Sequence, residues 1–253
     1  MTSLTVWTRV RGRLGDERGF TLIELLVATV CGMIVSAATL AIVISSVHLS
    51  ANYGDRVDAN QEGRIAMERI TQALNSSCVA ATLPPILGGS DANDAVFYSS
   101  LTDQPTITPN KIRVSLVGAT GSQSLIMYTY AYVSGTTPGT WTFASTPTTS
   151  FVVLAHAAPV TTSGVAQPLF GYYGYTTSGA LALSTAPFGT PLSATDAANT
   201  AEVTITFEAL PSDGSATASN TLARGEPADF TDSVVLRLAP ASTAAGATNS
   251  PCT

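Results

Sequence analysis

The longest apolar segment of the chain runs from Phe20 to Val47, and Glu24 carries its only formal charge. A helix that spans a bilayer needs about 20 apolar residues, so this segment is long enough to cross a membrane. A carboxylate within such a span costs up to about 3 kcal/mol at mid-membrane and less near the interface. The pattern therefore predicts a transmembrane helix over 20–47 with a functional acid in its first turns.

Beyond Val47 the pattern becomes amphipathic, which predicts that the same helix continues outside the membrane over 48–80. Apolar residues recur at helical spacing and charged residues lie largely on the other faces. The apolar residues are Ala66, Ile70, Ala73 and Leu74, and the charged residues are Arg56, Asp58, Glu62, Arg64 and Glu68. We expect Pro84-Pro85 and Gly88-Gly89 to end the helix, at about Asn75–Cys78.

After Gly89 the pattern changes to alternation and to β-branched and aromatic residues, which predicts strands. Ile112, Val114 and Leu116 should face inward on one strand, and residues 202–207 alternate in the same way. The predicted strands cover 95–99, 111–117, 124–133, 140–144, 151–155, 169–175, 201–210 and 233–239. The remaining segments are predicted as a long exposed loop over about 213–232 and a tail of small residues over 240–253.

These elements predict an α+β fold, in which one long N-terminal helix packs on an antiparallel β-sheet. Residues 81–253 would form a single exported β-rich domain, since that length is sufficient for one core.

The residues before the apolar segment are basic, and the rest of the chain is acidic. Residues 1–19 carry Arg9, Arg11, Arg13 and Arg18 against Asp16 and Glu17, a net charge of 4 − 2 = +2. Basic residues beside a first span keep that side cytoplasmic, which places the residues after Val47 outside. The whole chain has a net charge of −6, so residues 20–253 carry −6 − 2 = −8. Such an acidic exterior, with Lys111 as its one lysine, gives no clear footprint for nucleic-acid binding.

The junction Gly19-Phe20, followed by Glu24, resembles the processing site of type IV prepilins and pseudopilins. The resemblance implies that prepilin peptidase cleaves between Gly19 and Phe20 and that Phe20 is N-methylated. It also implies that Glu24, five residues into the mature chain, faces the terminal ammonium of a neighbouring subunit. Such a pair would leave neither charge unmatched in lipid. Glycine at the cleavage point permits close backbone approach.

Later segments resemble the larger minor pilins and pseudopilins, the PilW and J-type class. The similar segments are 61–69 in the helix, 151–155, the aromatic strand 170–175 and the final strand 233–237. The chain departs from the class at Thr140-Trp141-Thr142-Phe143, where an arginine-bearing strand end is common.

This resemblance implies a minor pilin-like structural subunit of a type IV pilus, placed at or near the filament tip to prime or support assembly. Its implied partners are prepilin peptidase, other pilins or pseudopilins through the N-terminal helix, and the inner-membrane assembly platform. It would be a single-pass cytoplasmic-membrane protein and then part of a cell-surface filament. The alternatives are a type II secretion pseudopilin, a single-span adhesin or receptor that does not polymerise, and an anchored hydrolase.

Other export signals fit the first segment less well. A cleaved secretory signal has an apolar core of roughly 7–15 residues, which is shorter than this one. A lipoprotein would use Cys31 as the lipid acceptor, but Val30 stands where a small residue would be wanted. A plain signal anchor explains the length and leaves Glu24 unexplained.

The three cysteines have different predicted environments. Cys31 is expected to pack as a small hydrophobic residue within the helix. Cys78 and Cys252 are exported, and an oxidising compartment favours disulfides, so we predict a Cys78–Cys252 bridge. Two unpaired thiols, or a bond to another subunit, remain the alternatives because sequence alone does not fix pairing.

No feature of the sequence predicts catalysis, a cofactor or a metal. His48 and His156 have no metal-spaced partner or nucleophile setting. Asp91, Asn93 and Asp94 could supply oxygen to calcium, but their spacing matches no complete loop and favours a solvated turn. Six tyrosines favour sheet packing or an interface over a ligand-binding face, namely Tyr128, Tyr130, Tyr132, Tyr172, Tyr173 and Tyr175.

Overall fold

The computed structural model describes residues 21–78, 83–99, 109–119, 122–135, 140–176, 182–211 and 227–236. The chain divides into two compact units, Met1–Ser50 and Ala51–Thr253. One α-helix, α1 (Leu22–Asn75, 54 residues), supplies residues to both units. In the first unit every described residue is exposed, and in the second the helix contributes a buried stripe to a β-rich core.

The helix ends at Asn75, at the start of the predicted range Asn75–Cys78 and well before Pro84-Pro85. The reason lies in the next residues. Ser77 forms an antiparallel bridge with Ser99, and the Cys78 N–H donates to the Tyr98 carbonyl at 2.8 Å. Because backbone groups need partners when buried, this pairing with a strand replaces the next helical turn.

The described residues of the second unit form eleven strands and one short helix, besides the second half of α1. In chain order they are β1 (Asp94–Ser99), β2 (Asn110–Ala119), β3 (Ser122–Tyr130), β4 (Tyr132–Ser134), β5 (Thr142–Phe143), β6 (Thr149–Ala158), β7 (Thr161–Thr162), β8 (Val165–Ala166), β9 (Phe170–Gly174), α2 (Ala194–Asn199), β10 (Thr200–Ala209) and β11 (Ala228–Val235).

Seven strands form one antiparallel sheet in the order β1-β2-β3-β6-β10-β11, and β9 also pairs with β10. One edge of β10 pairs with β11 from Glu202 to Ala209. Its other edge is shared, because β9 pairs with Thr200–Ile205 and β6 pairs only with Glu208 and Ala209. The strand pairs β4–β5 and β7–β8 form two small separate sheets.

The core lies between the second half of α1 and one face of the sheet. The predicted helix residues Ala66, Ile70, Ala73 and Leu74 are all buried, as are the inward-facing residues Ile112, Val114 and Leu116 of β2. Val203, Ile205 and Phe207 of β10 are also buried, which confirms the second alternating pattern. The α+β prediction, a long N-terminal helix on an antiparallel sheet, is confirmed.

Several predicted strand boundaries were wrong, and the strand predicted over 151–155 is longer, Thr149–Ala158. The last strand begins at Ala228, not at residue 233, so the predicted loop 213–232 is too long at its C-terminal end. The polar residues of 228–232 are compatible with a strand because, among the described strands, β11 pairs only with β10 and lies at the edge of the sheet. The predicted strand 124–133 stops at Tyr130, since Tyr132 pairs with Phe143 instead. The strand predicted over 140–144 is reduced to Thr142–Phe143.

Sequence reasoning missed β7, β8 and α2. The sequence contains a signal for α2, because Ser193 lies three residues before Asp196 and its hydroxyl accepts the Asp196 N–H at 3.1 Å. Residues 212–226 and the predicted tail 240–253 lie outside the described residues.

Candidate assembly site on the N-terminal helix

The described chain begins at Thr21, so Gly19 and Phe20, the predicted cleavage and methylation positions, lie outside the described residues. Thr21 caps the helix. Its hydroxyl oxygen accepts the Glu24 N–H at 3.3 Å, and its carbonyl accepts the N–H groups of Glu24 and Leu25 at 3.0 and 3.1 Å. The sequence Thr21-Leu22-Ile23-Glu24 thus has the threonine–glutamate spacing of a capping box.

Glu24 therefore has a local structural reason to lie in the first turn, which sequence reasoning had not identified. A carboxylate near a helix N-terminus interacts favourably with the helix dipole, by about 0.3–1 kcal/mol. Glu24 is exposed and forms no ion pair with another described residue. Its charge is thus available to a group outside the described part of this chain.

The surface around Glu24 is strongly apolar. Leu22 is 82% exposed and Met33 71% exposed, and none of the most apolar part of this helix is buried. By length and composition, α1 is the one described helix that could cross a membrane. A contiguous exposed apolar surface of this size requires lipid or other protein as its environment.

Several hydroxyl groups in the same segment donate to carbonyl groups of the helix itself. Thr29, Ser36 and Ser46 donate to the carbonyls of Leu26, Gly32 and Ile42 at 2.8–2.9 Å. Such bonds remove the need for water around these side chains. Glu24 is the one charged residue between Thr21 and Val47.

Cys31 is a free, exposed cysteine on the same helix. Cys78 is buried, with 1% of its surface exposed, at the point where the chain leaves the helix for β1. Cys252 lies outside the described residues, so the predicted Cys78–Cys252 bridge stays a prediction.

The residues considered for calcium are engaged in other contacts. Asp91 accepts the Asn93 N–H at 2.7 Å, and Asp94 forms a bidentate ion pair with Arg113, with contacts of 2.8 and 2.7 Å. Within the described ranges, no group of three or more histidine, cysteine, aspartate or glutamate residues could hold a metal ion.

The Asp94–Arg113 pair shifts the titration of both groups. Burial raises the pKa of the Asp94 carboxyl, but hydrogen bonds from Arg113 and Ser115 and the Arg113 charge outweigh it, so the net shift is downward. The hydrogen bond from its guanidinium to Asp94 raises the pKa of Arg113.

The tyrosines do not form one common face. Tyr172 is buried in the core and its hydroxyl donates to the carbonyls of Asp91 and Asp94 at 3.1 and 2.9 Å. Burial raises the pKa of this phenol. Tyr130 lies beneath the Lys111 ammonium, 4.3 Å from the ring centroid. Tyr132 packs edge-on against Phe143 on the β4–β5 pair. Packing roles therefore account for these three rings.

Residues 15–40 match the family model described as the prokaryotic N-terminal methylation motif. No curated protein and no solved structure matches the chain. The motif indicates a type IV pilin-like or pseudopilin protein, and it implies processing by prepilin peptidase and interaction with other pilins. Together, the motif and the exposed apolar helix suit a membrane-anchored protein with an exported domain.

Proposed function

We propose that this chain is a minor pilin-like structural subunit of a type IV pilus. In this proposal, prepilin peptidase cleaves between Gly19 and Phe20, and the new terminal amine of Phe20 is methylated. The processed subunit enters the filament at or near its tip and primes or supports assembly. The observation that carries the proposal is a single exposed carboxylate, Glu24, in the otherwise uncharged segment 22–47 of α1, within the methylation motif.

The role of Glu24 follows from electrostatics in a medium of low dielectric constant. An isolated carboxylate in the membrane is unfavourable, and so is an isolated ammonium. A neighbouring subunit whose Phe20 ammonium meets Glu24 offsets both penalties and sets the axial offset between the two helices. Methylation of the amine keeps its positive charge, so the pairing is compatible with the modification.

The exposed apolar surface of α1 supports the same proposal. Before assembly lipid would cover this surface, and within a filament the helices of other pilins would cover it. The inner-membrane assembly platform would act on the subunit during this transfer. The second unit, with its own core, would project from the filament core. Segments 61–69, 151–155, 170–175 and 233–237 resemble the PilW and J-type class in sequence, and we assign the chain to this class within the proposal.

The proposed Cys78–Cys252 disulfide would tie the C-terminus to the end of α1. A bridge over so long a loop stabilises by about 4–5 kcal/mol in the chain-entropy model. Alkylation of the unreduced, denatured protein should then label Cys31 alone. Labelling of all three cysteines would contradict the bridge.

Processing is the step that tests the proposal. In cells with active prepilin peptidase the protein should be shorter by the 19-residue leader than in cells from which the peptidase gene is deleted. Gly19→Val should abolish this difference, whereas Gly15→Val, a matched change elsewhere in the leader, should preserve it. An unchanged size in all these strains would favour a single-span adhesin or receptor.

A type II secretion pseudopilin is the second candidate, because the methylation motif is shared by both classes. Neighbouring genes separate the two. A retraction ATPase gene beside this one supports the pilus, whereas genes for a secretion apparatus without that ATPase support the pseudopilin.

A further inference from the structure

Two cationic side chains of β2 line one cleft on the face of the sheet opposite the core. Lys111 and Arg113 are two residues apart on the strand, so both side chains lie on the face that the buried Ile112 does not use. The cleft has a volume of about 220 Å³. Its lining residues are Gly89, Asp94, Val96, Lys111, Arg113 and Tyr130.

Within the described residues, Lys111 has aromatic partners but no carboxylate partner. Its ammonium group lies 4.3 Å from the centroid of the Tyr130 ring, which belongs to the residue directly opposite on β3. The centroid of the Phe143 ring lies 6.0 Å away. Aromatic rings attract a cation without neutralising its charge. The N–H donors of the ammonium group therefore remain available to an anion that enters the cleft.

Arg113 also has N–H donors that its protein contacts do not use. Its Nε and Nη2 donate to Asp94 at 2.8 and 2.7 Å, and a further hydrogen bond joins it to Tyr130. A guanidinium has five N–H donors, so about two remain. The side chain is 43% exposed, which gives a ligand access to it. The bidentate contact with Asp94 fixes the orientation of the guanidinium before any ligand arrives.

The charge of the cleft limits the kind of anion that fits it. Lys111 and Arg113 against Asp94 give the lining a net charge of 2 − 1 = +1, whereas residues 20–253 together carry −8. A monoanion balances this local charge. A dianion such as a phosphate monoester would leave an excess negative charge beside Asp94, which is unfavourable. A carboxylate has the matching charge, and it accepts hydrogen bonds well from both guanidinium and ammonium groups.

We propose that this cleft binds the carboxylate group of an acidic ligand, either an acidic sugar unit or an acidic side chain of a polypeptide. Both sources present the same group to Lys111 and Arg113. The cleft is smaller than the sites of about 300 Å³ or more that hold drug-sized ligands, so it fits a single sugar or amino-acid unit. Val96 and Gly89 supply an uncharged wall for the rest of that unit. The site requires neither Glu24 nor the methylated terminus, so this proposal goes beyond the proposed function.

The test uses the full-length protein in detergent and two probes with one carboxylate each. The probes are D-glucuronate and a glutamate with an acetylated amino group and an amidated α-carboxyl group. Saturation-transfer NMR should show saturable binding of at least one probe in the millimolar range, since such small ligands bind weakly. The probe that binds more tightly identifies the source of the carboxylate. The neutral counterparts, glucuronamide and the matching glutamine derivative, should bind at least tenfold more weakly.

Variants of the protein complete the test. Lys111→Gln should weaken binding at least tenfold, whereas Lys111→Arg, which keeps a cation over Tyr130, should stay within about threefold of the wild type. Arg64→Gln removes an exposed positive charge outside the cleft and should leave binding unchanged. If thermal unfolding shows that Lys111→Gln does not fold, Arg113→Lys replaces it. That variant should weaken binding at least threefold, because lysine lacks the fork that contacts Asp94 and the ligand together.

Four results would overturn the proposal. They are the absence of saturable binding of both probes, equal binding of the neutral counterparts, unchanged binding to Lys111→Gln, and binding of glucose 6-phosphate at least tenfold tighter than that of glucuronate.

Discussion

The ring of Phe230 on β11 lies directly against Gly63 on α1, in the space that a β-carbon at position 63 would occupy. The same ring stacks on Phe207 of β10, with the ring centroids 5.5 Å apart. Glycine inside a helix costs about 1 kcal/mol relative to alanine. Here it permits the close approach of the helix to the edge of the sheet, which a larger residue would prevent.

Gly63→Ala should lower the free energy of unfolding of the second unit by about 1–2 kcal/mol, because the added methyl displaces Phe230 from its stacked position. The matched control is Gly54→Ala on the same helix, where a β-carbon meets no atom within 4 Å. That change should be neutral or stabilising by up to about 1 kcal/mol. Thermal unfolding of the full chain in detergent measures both. In a Phe230→Ala background the cost of Gly63→Ala should disappear, and persistence of the cost would contradict the packing explanation.

The Asp94–Arg113 pair predicts a loss of stability in acid. Asp94→Asn should cost about 1 kcal/mol at neutral pH, a modest value because the Arg113 side chain is 43% exposed. The pKa of Asp94 in the folded state lies below the ordinary value of 3.8. The pair therefore contributes its full stabilisation above pH 3.8, and this stabilisation is lost as the pH falls through the folded-state pKa. Unfolding measured from pH 7 to pH 2 should show the wild type and the variant converging only below about pH 4. Asp58→Asn, an exposed helix residue, is the control; a constant difference at every pH would contradict the account.

Glu208 should have the opposite effect on the pH dependence of stability, because its pKa is raised and not lowered. Burial and the Asp229 charge raise the pKa of its carboxyl, although the Thr161 N–H, at 3.3 Å, lowers it. Glu208 and Asp229 lie directly opposite each other on β10 and β11, and like charges in that position are destabilising.

Glu208→Gln keeps an oxygen for Thr161 and removes the repulsion, so it should stabilise the sheet by a few tenths of a kcal/mol at pH 7. A raised pKa means that the folded state binds the proton more tightly, so wild-type stability rises as the pH falls through that pKa. The benefit of the variant should therefore vanish below the ordinary value of 4.5. Thermal unfolding at pH 7 and pH 4 checks both statements, and a destabilised variant at pH 7 would refute them.

Periodicity alone predicted the main elements of this fold. The helical spacing of Ala66, Ile70 and Leu74 and the alternation of Ile112, Val114 and Leu116 each identified a buried face. The start of β11 was missed because edge strands tolerate polar residues such as Asp229 and Asp232, which resemble a loop in sequence. The sharing of one edge of β10 between β9 and β6 could not be predicted, because it depends on which strands pair over a long sequence separation. The cap by Thr21 could have been predicted from its spacing to Glu24, which is that of a capping box.

The proposed role of Glu24, a charge for a neighbouring subunit, is separable from the cap that the Thr21 hydroxyl provides by accepting the Glu24 N–H. Glutamine at position 24 keeps the backbone N–H that the Thr21 hydroxyl accepts and removes only the charge. Glu24→Gln should therefore leave membrane insertion and processing intact and reduce incorporation into filaments at least tenfold. Immunoblotting of sheared filaments and of membranes measures this ratio. Thr21→Val, which removes the cap and keeps the charge, should retain most incorporation. Normal incorporation of Glu24→Gln would contradict the proposed pairing of this charge with a neighbouring subunit.

In the proposed assembly, the terminal amine that cleavage creates at Phe20 of one subunit becomes the partner of Glu24 of a neighbouring subunit. Mass spectrometry of the N-terminal peptide, from protein purified out of cells that process their other prepilins, tests it most directly. The account predicts a chain that starts at Phe20 and carries one additional methyl group on its terminal nitrogen. An intact chain that retains residues 1–19 would contradict the account.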